Sequence, residues 1–204
     1  MILEKISVGA LQVNCYILAS QRDSQAIIID PGAEVRKIRK VLDKYNLTPA
    51  LIINTHGHYD HIGADNAFNL PVYVHKLDAP MLQDAQLNMS GLFSLPCTVK
   101  SRILLLEDNQ ILGLSGLQLK VVHVPGHTAG GIALLLQEPQ EKIAFTGDTL
   151  FCSGIGRSDL SGGSQAALIK SIKEKLFILS DDTRIYPGHG PDSTIGQEKK
   201  NNLI

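Results

Sequence analysis

The fold is indicated most strongly by the stretch Leu51-Ile52-Ile53-Asn54-Thr55-His56-Gly57-His58-Tyr59-Asp60-His61. In it, an apolar run leads directly into a cluster of metal-binding side chains. The three aliphatic residues at 51–53 predict a short buried strand. Imidazole and carboxylate groups together suit zinc, with iron and manganese as competitors. Sites in layered α/β proteins form at the carboxyl ends of strands, and an incidental polar loop would not place four donors in six residues. We therefore predict a metal site here.

Three glycine-rich turns downstream offer further ligands. A single catalytic metal takes about four ligands, one of them commonly water, so the first cluster is too rich for one ion. The turns are Pro125-Gly126-His127-Thr128, Thr146-Gly147-Asp148-Thr149 and Pro187-Gly188-His189-Gly190. Each follows a β-rich run, and glycine lets the backbone approach the site closely. One such turn alone could be ordinary, but the repetition predicts that all three complete the site.

The remainder of the chain alternates between predicted strands and helices. Strands are predicted at 11–19, 25–30, 71–74, 103–106, 117–124, 132–136, 142–146 and 184–186. Helices are predicted at 34–45, 61–69, 76–84 and 164–179, and residues 86–102 are predicted to form a loop with partial helix. Two sheets covered by helices on their outer faces account for this order and indicate an α/β fold. Since no Gly-, Ser- or Pro-rich linker divides the sequence, we expect residues 1–204 to form a single domain.

Composition limits the classes of function and the cellular compartments that are compatible with the sequence. The formal net charge of −1 provides no field that favours nucleic acid or an anionic membrane, so neither is expected as a partner. Cys15, Cys97 and Cys152 are widely spaced and do not form a disulfide framework. The N-terminus turns polar too soon for a signal peptide, and no apolar run is long enough to span a bilayer. We expect a cytoplasmic protein.

The ordered motifs resemble those of the metallo-β-lactamase superfamily from end to end. They are Thr-His-Gly-His-Tyr-Asp-His at 55–61, Pro-Gly-His-Thr at 125–128, Gly-Asp-Thr-Leu-Phe at 147–151 and Pro-Gly-His-Gly at 187–190. Gly-Ile-Gly-Arg-Ser-Asp at 154–159 narrows the resemblance to the glyoxalase II-like branch of hydroxyacylglutathione hydrolases. The resemblance implies a four-layer αββα sandwich with its metal site along one edge.

The same resemblance assigns the metal ligands and implies two Zn²⁺ ions, with iron or manganese possible in one or both sites. His56, His58 and His127 would hold the first ion, and Asp60, His61 and His189 the second. Asp148 would bridge the two ions.

A dinuclear site predicts a hydrolytic mechanism. Two ions about 3.5–4 Å apart can share one water and lower its pKa toward about 7, so that a bridging hydroxide attacks a carbonyl carbon. Asp60 is the predicted catalytic residue, as a proton acceptor or orienter besides being a ligand. The expected partner is a small-molecule acyl substrate, a thioester such as S-D-lactoylglutathione. The helical domain that holds much of the glutathione site in longer glyoxalase II enzymes does not follow His189 here, so the resemblance does not carry over the thiol specificity.

Other functions are compatible with the same ligands. The related persulfide dioxygenases use one iron held by two histidines and one aspartate, which here are His56, His127 and Asp148. Lactone or β-lactam hydrolysis, a nuclease and a non-catalytic metal-binding module are the remaining alternatives. Metal content and oxygen uptake with glutathione persulfide distinguish the dioxygenase from the hydrolase.

Several residues near the motifs carry secondary predictions. Asp30 either hydrogen-bonds a ligand imidazole or simply forms an Asp-Pro-Gly turn. Arg157 and Asp159 are predicted to form an internal ion pair, and His75 and His123 to be structural. The basic tail from Glu198 to Asn202 is predicted to be a solvated terminus.

Overall fold

Two six-stranded sheets form the framework of the computed structural model, which describes residues 1–93, 96–138, 140–202 and 204. In spatial order the first sheet contains β1 (Ile2–Val8), β2 (Val13–Ala19), β3 (Gln25–Ile29), β4 (Thr48–Ile53), β5 (Val72–His75) and β6 (Ile103–Leu106). Strands β1 to β3 are antiparallel, and β3 to β6 are parallel.

The second sheet has the spatial order β14-β13-β10-β9-β8-β7. Its strands along the chain are β7 (Ile111–Leu114), β8 (Leu117–His123), β9 (Ile132–Leu136) and β10 (Ile143–Gly147), followed by the small hairpin β11 (Leu150–Phe151) and β12 (Gly154–Ile155), then β13 (Arg184–Pro187) and β14 (Ser193–Thr194). Strands β10 and β13 are parallel neighbours, which brings their carboxyl ends to the same edge.

In the part of the chain that the structure describes, five helices cover the outer faces of these sheets or lie in the loops that leave them. They are α1 (Val35–Tyr45), α2 (Tyr59–Ile62), α3 (Ala79–Gln83), α4 (Gln165–Ser171) and α5 (Ile195–Asn201). Short 3₁₀ turns occupy Asp65–Ala67 and Ser90–Phe93, and a π-helical turn continues α4 over Ile172–Leu176. No helix among the described residues is both long and apolar enough to cross a membrane.

The alternation of side chains in the strands creates three apolar layers. In β3, Ile27 and Ile29 point into the layer between the sheets, where they meet Leu134 and Phe145 of the second sheet. Ile28 points the opposite way into the layer under α1. A third layer lies between the second sheet and α4 and includes Leu168, Ile172 and Leu176. The order helix, sheet, sheet, helix confirms the predicted αββα sandwich of the α/β class.

The predicted elements differ from the structure in a few places. The helix predicted at 61–69 is one turn, α2, followed by the 3₁₀ turn at 65–67. The helix ends there because the Ala64 backbone leaves helical geometry, with φ −105° and ψ 2°, and its amide donates to the Pro31 carbonyl at 2.9 Å. The helix predicted at 76–84 is shortened to α3 at 79–83. Strands β1 and β7 were not predicted; both lie at or near sheet edges and expose alternate residues.

The prediction that residues 198–202 form a solvated terminus is wrong. Thr194 caps the first turn of α5 by accepting the Gln197 amide at 3.2 Å, and Ile195 is fully buried in the outer layer. Glu198 is 0% exposed, and its carboxylate accepts the Ser153 amide at 2.7 Å and the Asn202 side chain at 2.6 Å. The tail is therefore a docked helix that holds the β11–β12 hairpin.

Replacing Glu198 by Ala is expected to destabilise the protein, because the buried Ser193 hydroxyl loses its acceptor, together with the less buried donors of Ser153 and Asn202. Unsatisfied buried donors of this kind cost about 2 kcal/mol or more, which for a chain of this size corresponds to a fall in Tm of roughly 4–8 °C. Thermal denaturation followed by circular dichroism measures the change. Lys200→Ala, in the exposed face of the same helix, serves as the control and should stay within about 0.5 kcal/mol of the wild type. Equal Tm values for the two variants would refute the docked tail.

Candidate metal centre

The ends of four strands deliver the predicted ligands to one edge of the sandwich. His56 and His58 leave β4, and the helix α2 directly after them carries Asp60 and His61. The other three ligands come from the second sheet, in the turns after β8, β10 and β13. The two halves are joined at this edge by the Ile132 amide, which donates to the Thr55 carbonyl at 2.9 Å.

All seven residues predicted as ligands meet at this edge. Three groups have donor atoms within 4.8 Å of one another. These groups are His56, His58 and His127; His56, His61 and Asp148; and Asp60, His61 and His189. The first and third correspond to the two ligand sets that the resemblance implied.

Unsatisfied atoms in the cluster show that these residues fit metal ions. Among the described residues, His56 Nε2, His61 Nε2 and Asp148 Oδ1 are buried polar atoms without a hydrogen-bond partner. Such atoms are rare in folded proteins unless a ligand satisfies them. Nδ1 of His58 and Nε2 of His127 lie only 2.9 Å apart, so both nitrogens face a common point. Imidazole and carboxylate donors in this arrangement suit divalent zinc or iron.

Burial keeps part of the cluster in the protonation state that metal binding requires. It lowers the pKa of His56 far below its usual value, and neighbouring imidazoles add to the effect. Burial and the adjacent His127 ring lower the pKa of His58 to about 3. Both rings are therefore neutral at physiological pH, and a neutral imidazole is the form that ligates a metal.

Carboxylates reverse this effect at His61. Burial lowers its pKa, but the charges of Asp30, Asp148 and Asp60 outweigh burial and raise the pKa to about 10. Burial raises the pKa of Asp60, yet the nearby His61 and His189 rings bring it below its usual range. A metal ion bound by His61 must displace a proton from that ring, while Asp60 is already ionised.

Hydrogen bonds from outside the cluster orient the ligand rings. Asp30 faces Nδ1 of His61 at 3.0 Å and accepts both the amide and the hydroxyl of Thr55 at 2.7 Å. Its carbonyl accepts the Gly32 amide at 2.8 Å, so the predicted Asp-Pro-Gly turn is confirmed, and its carboxylate lies beside the His61 ring as an ion-pair partner. Contacts of this kind fix the tautomer of a ligating imidazole.

Two further ligand rings are held by backbone carbonyls. Nδ1 of His127 donates to the Arg157 carbonyl at 2.7 Å, and Nδ1 of His189 donates to the Leu11 carbonyl at 3.0 Å. Because Nδ1 is engaged in each ring, Nε2 is left to face the centre of the cluster.

Asp78 supports the donor cluster from outside it and has no counterpart among the predicted site residues. Its side chain is 0% exposed, and Oδ2 accepts the Gly57 amide at 3.1 Å and the Thr128 hydroxyl at 2.7 Å. Oδ1 accepts the Gly130 amide at 2.6 Å. One carboxylate thus joins the residue between His56 and His58 to the segment that follows His127. In the sequence, Asp78 before Ala-Pro resembles an ordinary helix cap, which gives no sign of this role.

The remaining candidates lie outside the donor cluster. Arg157 and Asp159 form the predicted ion pair, with both contacts at 2.8 Å, but both side chains are exposed. The rings of His75 and His123 stack on each other with centroids 4.0 Å apart, as expected for structural residues. Cys152 belongs to none of the donor groups found among the described residues.

Replacing Asp78 by Asn is expected to weaken metal binding by His56, His58 and His127. Asparagine provides one acceptor atom and two donors, so it cannot accept all three hydrogen bonds. Loss of a supporting contact of this kind typically lowers metal affinity by about 10–100-fold. Competition with a chromophoric zinc chelator measures the affinity, and Asp43→Asn on the exposed face of α1 is the control. A folded Asp78→Asn variant that binds zinc like the wild type would contradict the assigned role.

Comparison with known proteins places this site in a family. A family model described as the metallo-β-lactamase superfamily matches residues 8–189. The probable metallo-hydrolase YqgX of Bacillus subtilis is 37% identical over 97% of this chain and 94% of its own length. The hydroxyacylglutathione hydrolase GloC of Haemophilus influenzae is 36% identical over 99% of this chain and 97% of its own length.

Solved structures agree with the sequence relatives. The BLEG-1 B3 metallo-β-lactamase has a TM-score of 0.92 at 38% identity, covering 99% of this chain and 98% of the other. TTHA1623 in a di-iron-bound form has a TM-score of 0.81 at 34% identity, with 98% of each chain covered. ETHE1 from Myxococcus xanthus has a TM-score of 0.82 at 26% identity, covering 100% of this chain and 84% of the other. With its layers, its donor cluster and these relatives in agreement, the chain belongs to the metallo-β-lactamase superfamily.

Proposed function

We propose that the protein is a dinuclear metal-dependent hydrolase of thioesters, with S-D-lactoylglutathione as the first substrate to test. The observation that carries the proposal is the position of Asp148. Its Oδ1 lies 3.5 Å from His61 Nε2, and its Oδ2 lies 3.6 Å from His127 Nε2. Oδ2 is also 3.6 Å from His189 Nε2, so the carboxylate lies between the two halves of the donor cluster, the position that a residue shared by two ions requires. The similarity to GloC supports the choice of thioester.

The residues of this chain position the reacting groups and provide a proton acceptor. When bound, two metal ions would activate a water molecule and polarise the carbonyl oxygen of the substrate. The ionised carboxylate of Asp60, 3.4 Å from His189 Nε2, lines the cavity beside the cluster and is placed to accept the proton of the attacking water. The water oxygen bonds to the carbonyl carbon, the carbon–sulfur bond breaks, and the sulfur leaves with a proton. The products are a carboxylate and a thiol.

Hydrolysis of β-lactams is the second candidate, because the BLEG-1 enzyme is similar to this chain over nearly its full length. The chemistry is parallel: water attacks a carbonyl carbon and a carbon–nitrogen bond breaks in place of carbon–sulfur. The same donor cluster would serve either reaction. The two reactions differ in the leaving group, which is a thiol for a thioester and an amine for a β-lactam.

Turnover of S-D-lactoylglutathione by the zinc-loaded protein is the direct test, with nitrocefin measured on the same sample. Asp148→Asn and removal of metal by a chelator are each expected to lower thioester turnover by about 1,000-fold or more, because the ions supply several kcal/mol of transition-state stabilisation. Release of thiol is followed with a thiol reagent. Asp182→Asn changes an exposed carboxylate that pairs with Lys142 and belongs to none of the donor groups found among the described residues, so it is the matched control and should keep full activity.

Two results would contradict the proposal. The first is a sample with two ions per chain that hydrolyses no thioester. The second is a sample with a single iron that consumes oxygen with glutathione persulfide, which would make the protein a dioxygenase.

A further inference from the structure

We infer that the cavity beside the donor cluster binds an apolar acyl chain, so that the preferred substrates are aliphatic acyl thioesters rather than hydroxylated ones such as lactoyl thioesters. The inference rests on the proposed function and specifies its substrate class. It is carried by the chemistry of the cavity wall, which the metal ligands do not determine.

Part of the cavity wall is formed by apolar side chains. The cavity has a volume of about 570 Å³, within the range typical of small-molecule sites. Its apolar lining consists of Leu11, Met89, Leu92, Phe93 and Leu160. Leu11, Leu92 and Phe93 are 50%, 66% and 56% exposed, although apolar side chains of this size are normally buried. Exposed apolar groups that converge beside a reactive centre indicate a ligand surface.

The charges in the cavity disfavour an anionic group at this wall. Among the described residues that line the cavity, Arg157 is the only one with a permanent positive charge. Its guanidinium already donates to both oxygens of Asp159 at 2.8 Å. Asp60 and Asp148 add two carboxylates to the lining of the cavity. The carboxylates of a thiol such as glutathione find no free cation here, so the wall fits the acyl part and the charged thiol part extends toward solvent.

The wall is tied to the ligand segment by hydrogen bonds and ring packing. Asn88 is 0% exposed, and its side chain donates to the Met81 and Cys97 carbonyls at 2.9 and 2.8 Å. The Asn88 carbonyl accepts the Tyr59 amide at 3.0 Å, at the start of α2.

The ring of Tyr59 continues this connection into the wall. Its centroid lies 5.1 Å from that of Phe93. Tyr59 stands between the proposed ligands His58 and Asp60 in the sequence. An acyl chain that packs on Phe93 would therefore be connected through Tyr59 to the residues that surround the reacting carbonyl.

A series of thioesters with one thiol and different acyl groups tests the inference. N-acetylcysteamine thioesters of acetate, butanoate, hexanoate and lactate are compared on the zinc-loaded protein. The value of kcat/KM is expected to rise about fourfold for each buried methylene from acetyl to hexanoyl. The lactoyl compound should fall below the butanoyl compound, because it extends one carbon less from its carbonyl along the apolar wall.

Alanine substitutions in the apolar wall identify the side chains that determine the preference for a long acyl group. Leu92→Ala and Phe93→Ala are expected to remove most of the increase in kcat/KM from the acetyl to the hexanoyl thioester, mainly by raising KM for the longer substrate. Ile178→Ala truncates a side chain that is 73% exposed and does not line the cavity, so it is the matched control and should keep the full series. Because all three side chains are largely exposed, the variants should fold, and circular dichroism checks this.

The outcomes separate the inference from the proposed function. A wild-type series that is flat, or that favours lactoyl, would overturn the apolar acyl site and leave the thioesterase intact. Equal loss for acetyl and hexanoyl in the Leu92 and Phe93 variants would also overturn it. Failure to hydrolyse any thioester would refute the thioesterase and the inference together.

Discussion

The protein has to hold several metal-binding atoms facing one another in a buried site, and the surrounding structure is arranged to meet this requirement. Five imidazoles and two carboxylates are brought together, and His56 Nε2, His61 Nε2 and Asp148 Oδ1 are left without hydrogen-bond partners among the described residues. Such an arrangement opposes folding unless surrounding contacts hold it and a cation satisfies it. The sandwich provides the holding contacts, since parallel strands bring their carboxyl ends to one edge.

Support for the cluster comes from buried carboxylates that are not ligands. Asp30 fixes His61 and Thr55, and Asp78 fixes the backbone on both sides of the first ligand set. The same charges set the acid–base state of the site. His61 is held protonated by its carboxylate neighbours, whereas the buried rings of His56 and His58 are neutral. Metal binding is therefore coupled to the loss of a proton from one half of the site.

Local sequence patterns were sufficient to predict the donor cluster but not its surroundings. His56 to His61 stand together in the chain, and the later ligands lie in glycine-rich turns after strands, so their spacing indicates a site. Asp78 could not be identified because its partners Gly57 and Gly130 are distant in sequence. The apolar wall at 89–93 has no helical or strand period, and α5 is recognisable only by its Thr194 cap. These features depend on tertiary contacts that no local pattern encodes.

The proposed function requires that the seven donors hold two ions shared by Asp148. The most direct measurement is anomalous diffraction at the zinc edge from crystals of the zinc-loaded protein. Two peaks about 3.5–4 Å apart are expected, one contacted by His56, His58 and His127 and the other by Asp60, His61 and His189, with Asp148 touching both. A single peak, or two peaks with Asp60 and Asp148 turned away from them, would contradict the dinuclear site.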